Sequence, residues 1–441
     1  MTTHESCHHG EATACPEYYQ LSRRRFMAVS GSAAAIIAAA PAWLPRVALA
    51  KDHRGTMRDV IVSIFLRGAA DGMSIVVPYA ENAYYSNRPT LAVPRPDSGL
   101  PNAALDIGPG GNGFFGFHPL MQPLMPAYNN GHLLAVHATG STDPSRSHFD
   151  AQRFMEVGTP DDPFLRTGWL GRHLLTSAPS DPNSLLRAVG ISTGLQLALQ
   201  GGPLTLPIPN LDSYGLTGTP ATLAARQAAL DSLYDNAGGP LGTIANNTLA
   251  TIDLLNTIDF ASYVPAGGAA YPTGSLGTAL KSVAALIKAQ VGVEAVAIDV
   301  SGWDTHANQG ALSGALASLI GTLAASMGAF YTDMISDPSP TGFLVEVQSE
   351  FGRRLLENGT LGTDHGHGNM MLLLGQCVAG GRVLSHWPGL APEQLFEGRD
   401  LSVTIDYRSI LAEIVQQRLG NPNLDFIFPG FTPSFESAVA C

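Results

Sequence analysis

Residues 59–66 read DVIVSIFL, a nearly continuous apolar run that ends in Arg67-Gly68-Ala69-Ala70-Asp71-Gly72. Such a run is typical of a strand that is covered on both faces within a parallel sheet. Similar short runs occur at residues 133–137, 295–300, 343–347 and 370–374. Patterns that predict helices lie between and after them, at residues 148–157, 220–256 with a break at 238–240, 276–291, 310–335 and 406–419. This alternation predicts an α/β fold with a largely parallel sheet.

Polar motifs follow the first four of these predicted strands. Because the carboxyl ends of parallel strands meet at one edge, where open α/β sheets bind ligands, we expect these motifs to converge on a site. Residues 177–273 are rich in Gly, Pro, Ala and Leu and poor in candidate ligands. They are interpreted as an inserted helical cap or side layer, or else as core helices.

The strongest candidate for chemistry is the Gly-rich segment 363–369, Thr-Asp-His-Gly-His-Gly-Asn, which reads as a loop. It places Asp364, His365 and His367 close together, and a carboxylate beside imidazoles suits a divalent cation such as zinc or manganese. Trp303-Asp304-Thr305-His306 follows another predicted strand and supplies a second Asp/His pair. The two pairs predict the two halves of a metal site.

The first fifty residues have the pattern of an export leader. Residues 22–27 read SRRRFM, a twin-arginine signal, and an Ala-rich segment leads to a small-x-small cleavage site at Ala48-Leu49-Ala50. We therefore expect a mature chain of residues 51–441, exported folded by the twin-arginine machinery into the periplasm or medium. No other segment is expected to span a membrane. Cys377 and Cys441 remain after cleavage, and Cys377 is expected to be a buried free thiol in a core strand.

The formal net charge is −12, from 24 basic and 36 acidic residues. An acidic chain argues against binding to nucleic acid or to an anionic membrane. Few charges and abundant Gly and Pro favour a large globular domain with long structured loops.

Several motifs together resemble a known family. They are FLRGAADG at 65–72, RSHFDAQ at 146–152, GWLGR at 168–172, GWDTH at 302–306, SEFGR at 349–353 and GTDHG at 362–366. Over nearly the whole mature chain, they are similar to a bacterial, twin-arginine-exported family called domain of unknown function fifteen-oh-one. That family resembles a branch of the alkaline-phosphatase-like and sulfatase-like superfamily. The resemblance implies a three-layer α/β sandwich with a mostly parallel sheet.

The superfamily pattern also implies two metal ions and hydrolysis of phosphate or sulfate esters. Carried over by position, it implies metal ligation by Asp71, Asp304, His306, Asp364 and His365, with His367 as a further candidate. The Asp304-x-His306 spacing departs from the phosphatase pattern, so one of these two is open to a supporting role. His118, His137 and His148 are additional candidates, and a lone His at a strand end is more often structural.

The nucleophile is expected at a helix N-terminus, where backbone amides favour negative charge. Ser147 begins the helix predicted at 148–157 and is the first choice, with Ser145 and Thr142 as alternatives and a simple N-cap as the other interpretation. Arg146 and Arg67 are expected to bind a tetrahedral anion, and His148 to contact substrate. Arg353 is expected to pair with Glu350 or another acid.

Thr142 stands where the sulfatase signature has Cys or Ser, which disfavours a formylglycine sulfatase. The leading hypothesis is an exported, metal-dependent hydrolase of phosphate esters, with sulfate esters as second choice. The alternative is an exported binding or scaffolding protein that keeps the fold without catalysis. A Ser-His-Asp esterase is a third option and the least favoured of the three.

Overall fold

The computed structural model describes residues 59–440 apart from 161, 236, 238 and 340. The leader, its cleavage site and Cys441 lie outside these residues. The strands are β1 Val60–Arg67, β2 Val76–Val77, β3 Leu105–Asp106, β4 Gly116–Phe117, β5 Leu133–Gly140, β6 Ala188–Ile191, β7 Thr205–Pro207, β8 Ala295–Ser301, β9 Phe343–Ser349, β10 Arg353–Glu357, β11 Thr363–His365, β12 Asn369–Leu374, β13 Arg382–Leu384 and β14 Ile405–Asp406.

The α-helices are α1 Gly72–Ile75, α2 Asn82–Asn87, α3 Met125–Asn129, α4 His148–Val157, α5 Trp169–Thr176, α6 Leu223–Asp235, α7 Pro240–Asn256, α8 Ser275–Lys288, α9 Ala315–Ser336, α10 Tyr407–Glu413 and α11 Leu424–Ile427. A π-helical turn, Ile414–Arg418, continues α10. The predicted break near residue 239 separates α6 from α7, because Gly239 has a positive φ and Pro240 opens the second helix.

Nine strands form the main sheet, in the order β13-β5-β12-β9-β1-β8-β6-β7, with β14 also paired to β5. Strand β1 is central and pairs in parallel with both β8 and β9. Strand β12 alone among these nine runs antiparallel to its neighbours β5 and β9. The sequence-based prediction of an α/β fold with a mostly parallel sheet is therefore confirmed.

Both faces of the sheet are covered by helices. Val62, Ile64 and Leu66 of β1 belong to the core formed with α8 and α9. Ile61 and Phe65 of the same strand belong to the core formed with α5 and α10. Alternate side chains of one strand thus enter two separate cores, which explains why β1 is apolar throughout and makes the domain a three-layer α/β sandwich.

The strand ends bring the predicted polar motifs to one edge of the sheet. In the parallel register, Arg67 at the end of β1 pairs with Ser301, and Leu66 pairs with Ser349. Because β12 runs in the opposite direction, its first residue, Asn369, pairs with Thr139 near the end of β5. The His-rich segment before β12 therefore lies at the same edge as the ends of β1, β5, β8 and β9.

Two sequence interpretations of secondary structure need correction. Asp364 and His365 lie in strand β11, which pairs with β10 in an antiparallel hairpin, rather than in a loop. Within the region interpreted as a helical insertion, β6 and β7 extend the main sheet and are followed by α6 and α7. These strands have three to five residues, too few to show a clear alternation of apolar and polar side chains.

The expectation of a free thiol at Cys377 is wrong. Cys377 is disulfide-bonded, and it lies in a half-buried turn after β12 rather than in a core strand. The three other cysteines of the chain all lie outside the described residues. Ala440, the last described residue, donates its N–H to the carbonyl of Cys377 at 3.0 Å.

Helix α9 is long and apolar enough to cross a membrane by length and composition, and the sequence analysis did not recognise this. In the fold, this helix packs on the sheet and buries Leu316, Ile320 and Leu323. A helix that is apolar on most sides and covered by other elements is also typical of a large core.

Candidate metal centre

Three imidazoles and one carboxylate converge at the edge of the sheet. His306 Nε2 lies 3.0 Å from Asp304 Oδ1, and His365 Nε2 lies 3.1 Å from the same oxygen. His148 Nε2 lies 3.5 Å from Asp304 Oδ2. The four side chains come from α4, from the segment after β8 and from β11, so the fold joins parts of the chain that are far apart in sequence. They are called the four-residue centre below.

His148 is oriented by a carboxylate on its other ring nitrogen. Its Nδ1 lies 2.7 Å from Oε1 of the buried Glu350, which directly follows β9. The same oxygen accepts hydrogen bonds from the Gly68 N–H and from Gln152 Nε2. His148 Nε2 is buried and has no hydrogen-bond partner. The imidazole is therefore held with an unpaired nitrogen facing Asp304.

The other two imidazoles are held in the same way. His365 Nδ1 lies 3.0 Å from the backbone carbonyl of Arg146. His306 Nδ1 lies 3.4 Å from Oδ1 of Asp364. An acceptor at Nδ1 favours the tautomer with the proton on Nδ1, which leaves a lone pair on Nε2. The carboxylate or carbonyl beside each ligand imidazole is the usual surrounding of a metal-binding histidine.

The distance between His306 Nε2 and His365 Nε2 is 2.9 Å. Two nitrogen lone pairs repel each other at this separation unless a cation is shared between them. His365 Nδ1 faces the Arg146 carbonyl, which leaves His365 Nε2 as an acceptor in this contact. Either a hydrogen bond from His306 to His365 or a metal ion shared by the two nitrogens is compatible with this separation.

Asp304 is fixed by a buried arginine and by a glycine contact. Arg353 donates from Nη2 to Asp304 Oδ1 at 2.7 Å and from its other nitrogens to the carbonyls of Ala69 and Thr363. Gly68 has φ +116°, and a Cβ there would lie 2.5 Å from the Asp304 amide nitrogen. Only glycine lets the end of β1 approach Asp304 this closely.

Charge distribution at the four-residue centre favours bound cations. Burial alone raises the pKa of Asp304, but the nearby His148 and His365 and the Arg353 guanidinium outweigh it and the net pKa is lowered. The carboxylates of Asp304 and Glu350 raise the pKa of His148 to about 9. The contact to Glu350 is the shorter of these two, and it leaves Nε2 as the nitrogen that faces the centre.

The residues present fit one metal ion. Zinc binds imidazole nitrogen and carboxylate oxygen at about 2.0–2.2 Å, which places the ligand atoms of a tetrahedral site roughly 3.3 Å apart. Among Asp304 Oδ1, His306 Nε2 and His365 Nε2 the separations are 2.9, 3.0 and 3.1 Å, and His148 Nε2 lies 3.5 Å from the other oxygen, Asp304 Oδ2, so these distances lie near that value. The ligand atoms of His148, Asp304 and His365 all lie within 4.8 Å of one another.

The four-residue centre is open on one side. The side chains of Asp304 and His306 are 45% and 42% exposed, whereas those of His148 and His365 are 25% and 22% exposed. A structural metal site is closed by its ligands, but a catalytic one keeps an accessible position. Solvent therefore has access to the side formed by Asp304 and His306.

Two of the predicted metal ligands have other partners. Asp71 is buried in an ion pair with Arg88, at 2.6 Å, and also accepts hydrogen bonds from Ser74 and Gln309. Burial raises the pKa of Asp71, but Arg88 and these hydrogen bonds reverse the shift, and the net pKa is lowered. His367 is buried and stacks on Phe396 with ring centroids 4.0 Å apart. Burial lowers the pKa of His367 to about 4.

Asp364 lies beside the four-residue centre and orients His306. Its Oδ1 accepts a hydrogen bond from Asn358 Nδ2 at 3.0 Å, and its Oδ2 lies 3.5 Å from Arg354 Nη1. Hydrogen bonding from Asn358 is the main reason that the pKa of Asp364 is lowered. This ionised carboxylate contacts His306 through the ring nitrogen that faces away from Asp304.

The arginines predicted to bind the anion form ion pairs with acids of this chain, and the predicted nucleophile caps a helix. Arg67 pairs with Glu156 at 2.8 Å and with Asp299 at 2.8 Å. Arg146 pairs with Asp400 and with Glu397. Ser147 is the N-cap of α4, and its Oγ accepts the Asp150 N–H at 3.5 Å. Ser147 nevertheless directly precedes His148 in the sequence, so it is adjacent in the chain to one residue of the four-residue centre.

The lone histidines at two strand ends are structural. His118 Nε2 lies 2.6 Å from the Ala311 carbonyl, and its Nδ1 accepts the Leu120 N–H. His137 Nε2 lies 3.0 Å from the Val76 carbonyl, and its Nδ1 accepts the Ala138 N–H. Both nitrogens of each ring are occupied by backbone groups, as expected for a buried imidazole.

The sequence analysis assigned no role at this site to Glu350, and it gave His148 both as an additional metal-ligand candidate and as a substrate contact. One signal was available, because Glu350 directly follows a strand that ends at the same edge as β1 and β8. Arg353 pairs with Asp304, in agreement with the expectation that it supports an acid.

Comparison with protein families identifies part of the chain. Residues 222–421 match the model of a family described as "Protein of unknown function (DUF1501)". The predicted resemblance is therefore confirmed for this part, which contains Asp304, His306, Glu350, Asp364 and His365 and leaves His148 outside. A search of the curated proteins finds no match to this chain.

Proposed function

We propose that this protein is an exported, metal-dependent hydrolase of phosphate esters, with sulfate esters as second choice. The observation that carries the proposal is the convergence of His148, Asp304, His306 and His365, with a hydrogen-bond acceptor beside Nδ1 of each imidazole. This arrangement lies at the carboxyl edge of the sheet and is open to solvent. It supports an accessible metal centre, such as the alkaline-phosphatase-like resemblance implies, in a three-layer α/β sandwich.

A divalent ion at such a centre acts as a Lewis acid and lowers the pKa of a bound hydroxyl or water. The chain supplies the ligands, the oriented imidazoles and the N-terminus of α4, a ten-residue helix. Amide groups at a helix N-terminus favour negative charge, so they suit an ester oxygen anion. Because Arg67 and Arg146 are held by acids of the chain, the helix terminus is the better candidate for that role.

Ser147 remains the proposed nucleophile, with Ser145 and Thr142 as alternatives. Its side chain caps α4 only through a long contact of 3.5 Å, so little is lost when the hydroxyl turns toward a bound ester. It directly precedes His148, a member of the four-residue centre, in the chain. A hydroxyl activated beside a cation is a sufficient nucleophile for ester cleavage.

Export is part of the same proposal. The twin-arginine motif implies the folded-protein export machinery as a partner and the periplasm or medium as the location. The disulfide at Cys377 supports this, because such bonds persist mainly in oxidising compartments. The net charge of −12 supports a small or polymeric ester as substrate rather than nucleic acid. Burial of α9 in the core supports a mature protein without a membrane span.

The proposal is tested by activity on simple aryl phosphate mono- and diesters with added zinc or manganese. His148→Ala is expected to abolish both metal retention and turnover. His386→Ala is the matched control, because His386 is 60% exposed and pairs with Glu436 far from these residues in the chain. Metal content and ester hydrolysis that persist at wild-type levels in His148→Ala would overturn the proposal.

A second candidate is a binding or scaffolding protein that retains the metal without catalysis. Two observations favour it. Arg67 and Arg146 already form ion pairs with acids of the chain, and Ser147 caps a helix. The two candidates differ in one measurement. Stoichiometric metal in the wild type with no turnover of phosphate or sulfate esters would favour the binding protein.

A further inference from the structure

We infer that the four-residue centre holds a single ion of the zinc class rather than two ions, and that arginine side chains neutralise the carboxylates that a second ion would need. This inference rests on the metal centre of the proposed function and departs from the two-ion pattern that the resemblance implies. It follows from where Asp71, Asp304 and Asp364 find their positive partners.

Asp71, which the resemblance implies as a metal ligand, is already neutralised. Arg88 donates to its Oδ2 at 2.6 Å, and both side chains are fully buried. Arg88 also donates to the carbonyls of Leu355 and Arg354, which fixes the guanidinium in place. A metal ion at Asp71 would have to share this carboxylate with a buried positive charge, and like charges in a low-dielectric site repel strongly.

The same relation holds at the other two carboxylates. Arg353 has no exposed side-chain surface and contacts Asp304 on Oδ1, the oxygen nearest to His306 and His365. Arg354 lies 3.5 Å from Oδ2 of Asp364, whose other oxygen faces Asn358 and His306. Each acid thus has one arginine partner, and Asp304 alone among them also faces three imidazole nitrogens, which supply the remaining ligands of one ion.

The donor set also selects the kind of ion. Three imidazole nitrogens and one carboxylate oxygen suit zinc, cobalt and related borderline ions. Magnesium and calcium prefer sites made almost entirely of oxygen ligands. A site with three nitrogens among four ligands is therefore expected to bind zinc or cobalt and to leave magnesium and calcium in solution.

The test is a cobalt titration of the full chain after removal of metal with a chelator. Cobalt(II) that is bound by nitrogen and oxygen ligands in a site of low coordination number absorbs visible light more strongly than aqueous cobalt(II) does. The sequence before residue 51 contains His4, Cys7, His8 and His9, so the signal is taken as the difference between wild type and His148→Ala/His365→Ala. We expect the difference spectrum to saturate at one equivalent, and millimolar magnesium to leave it unchanged.

Zinc content by mass spectrometry gives a second, independent count. We expect wild type to exceed the double variant by one zinc per chain, and Asp71→Asn to retain the wild-type value. Circular dichroism shows whether each variant is folded, and the wild-type titration stands even if Asp71→Asn is not. A difference of two equivalents, no difference at all, or displacement of cobalt by magnesium would overturn the inference.

These outcomes are separate from those that decide the proposed function. One bound zinc with no ester hydrolysis would keep this inference and remove the hydrolase. Two bound ions with ester hydrolysis would keep the hydrolase and remove this inference.

Discussion

His148 Nδ1 lies 2.7 Å from Oε1 of Glu350, and this contact points the opposite ring nitrogen toward Asp304. Glu350 is itself buried and receives the Gly68 N–H from the end of β1. One carboxylate thus ties the central strand, helix α4 and the four-residue centre together. Its role is to position an imidazole, and it contacts none of the proposed ligand atoms of Asp304, His306 or His365 in the described residues.

Glu350→Gln tests this relationship. The amide can still accept from the backbone of Gly68 but loses the charge that orients His148, so zinc affinity is expected to fall roughly 10–100-fold. The measurement is competition for zinc with a chromophoric chelator. Glu393→Gln is the control, because Glu393 is exposed. Unchanged zinc affinity in a folded Glu350→Gln protein would show that Glu350 does not position His148.

The sequence predicted the architecture well because its signals are local and strong. The apolar run of β1 and the breaks beside Gly239 and Pro240 follow from backbone geometry and burial within a few residues. The four-residue centre, the proposed metal site, was only partly predictable. Asp304, His306 and His365 lie in short motifs, but His148 reaches them through an ion pair with Glu350 that spans 202 residues of sequence.

The ion pair that Asp71 forms with Arg88 could not be predicted from the sequence, for a physical reason. An acid after a central strand is an expected ligand, and nothing near it in sequence shows that Arg88 will turn back to neutralise it. Arg88 reaches Asp71 because α2 returns the chain to the strand edge and because the carbonyls of Arg354 and Leu355 accept its remaining donors. Such a contact depends on the packing of four segments, which no local pattern encodes.

Arg353→Lys is expected to be strongly destabilising despite the retained charge. Arg353 donates to the carbonyls of Gly68, Ala69, Trp303 and Thr363 and to Asp304, with no exposed side-chain surface. Lysine has too few donors in the wrong geometry, so the free energy of unfolding should fall by about 3–5 kcal/mol. Urea unfolding measures this.

Arg399→Lys is the matched control for that variant. Arg399 is 40% exposed and pairs with Glu397 at the surface, so its replacement should change the free energy of unfolding by less than about 1 kcal/mol. Equal effects of the two substitutions would contradict a structural role for the buried guanidinium.

Ser147→Ala and Ser147→Asn separate capping from catalysis. Alanine removes the cap of α4 and should cost about 1 kcal/mol of stability, whereas asparagine caps a helix as well as serine does. If Ser147 is the nucleophile, both variants lose ester hydrolysis by on the order of 10³-fold or more. Thermal melting and steady-state rates are the measurements. Full activity in Ser147→Asn would exclude Ser147 and leave Ser145 and Thr142.

We expect the free energy of unfolding to depend on pH through Glu346, independently of the metal centre. This residue lies in the middle of β9, fully buried, and its Oε2 accepts only the Ser63 hydroxyl at 2.8 Å, while Oε1 has no partner. Burial raises the pKa of Glu346 from 4.5 to about 8. The folded protein therefore keeps a proton on this carboxyl at pH values where the unfolded chain has released it.

The sign of the effect follows from proton linkage. Between pH 4.5 and about 8 the folded state binds one proton more than the unfolded state, so Glu346 lowers the free energy of unfolding as the pH rises through this window. The slope is at most about 1.4 kcal/mol per pH unit. Glu346→Gln, which cannot ionise, should remove this slope and be more stable than wild type near pH 8. Glu393→Gln, at an exposed position, should leave the slope unchanged. The measurement is urea unfolding of the three proteins at about pH 5, 6, 7 and 8. Parallel pH profiles for wild type and Glu346→Gln would show that Glu346 is ionised in the folded protein.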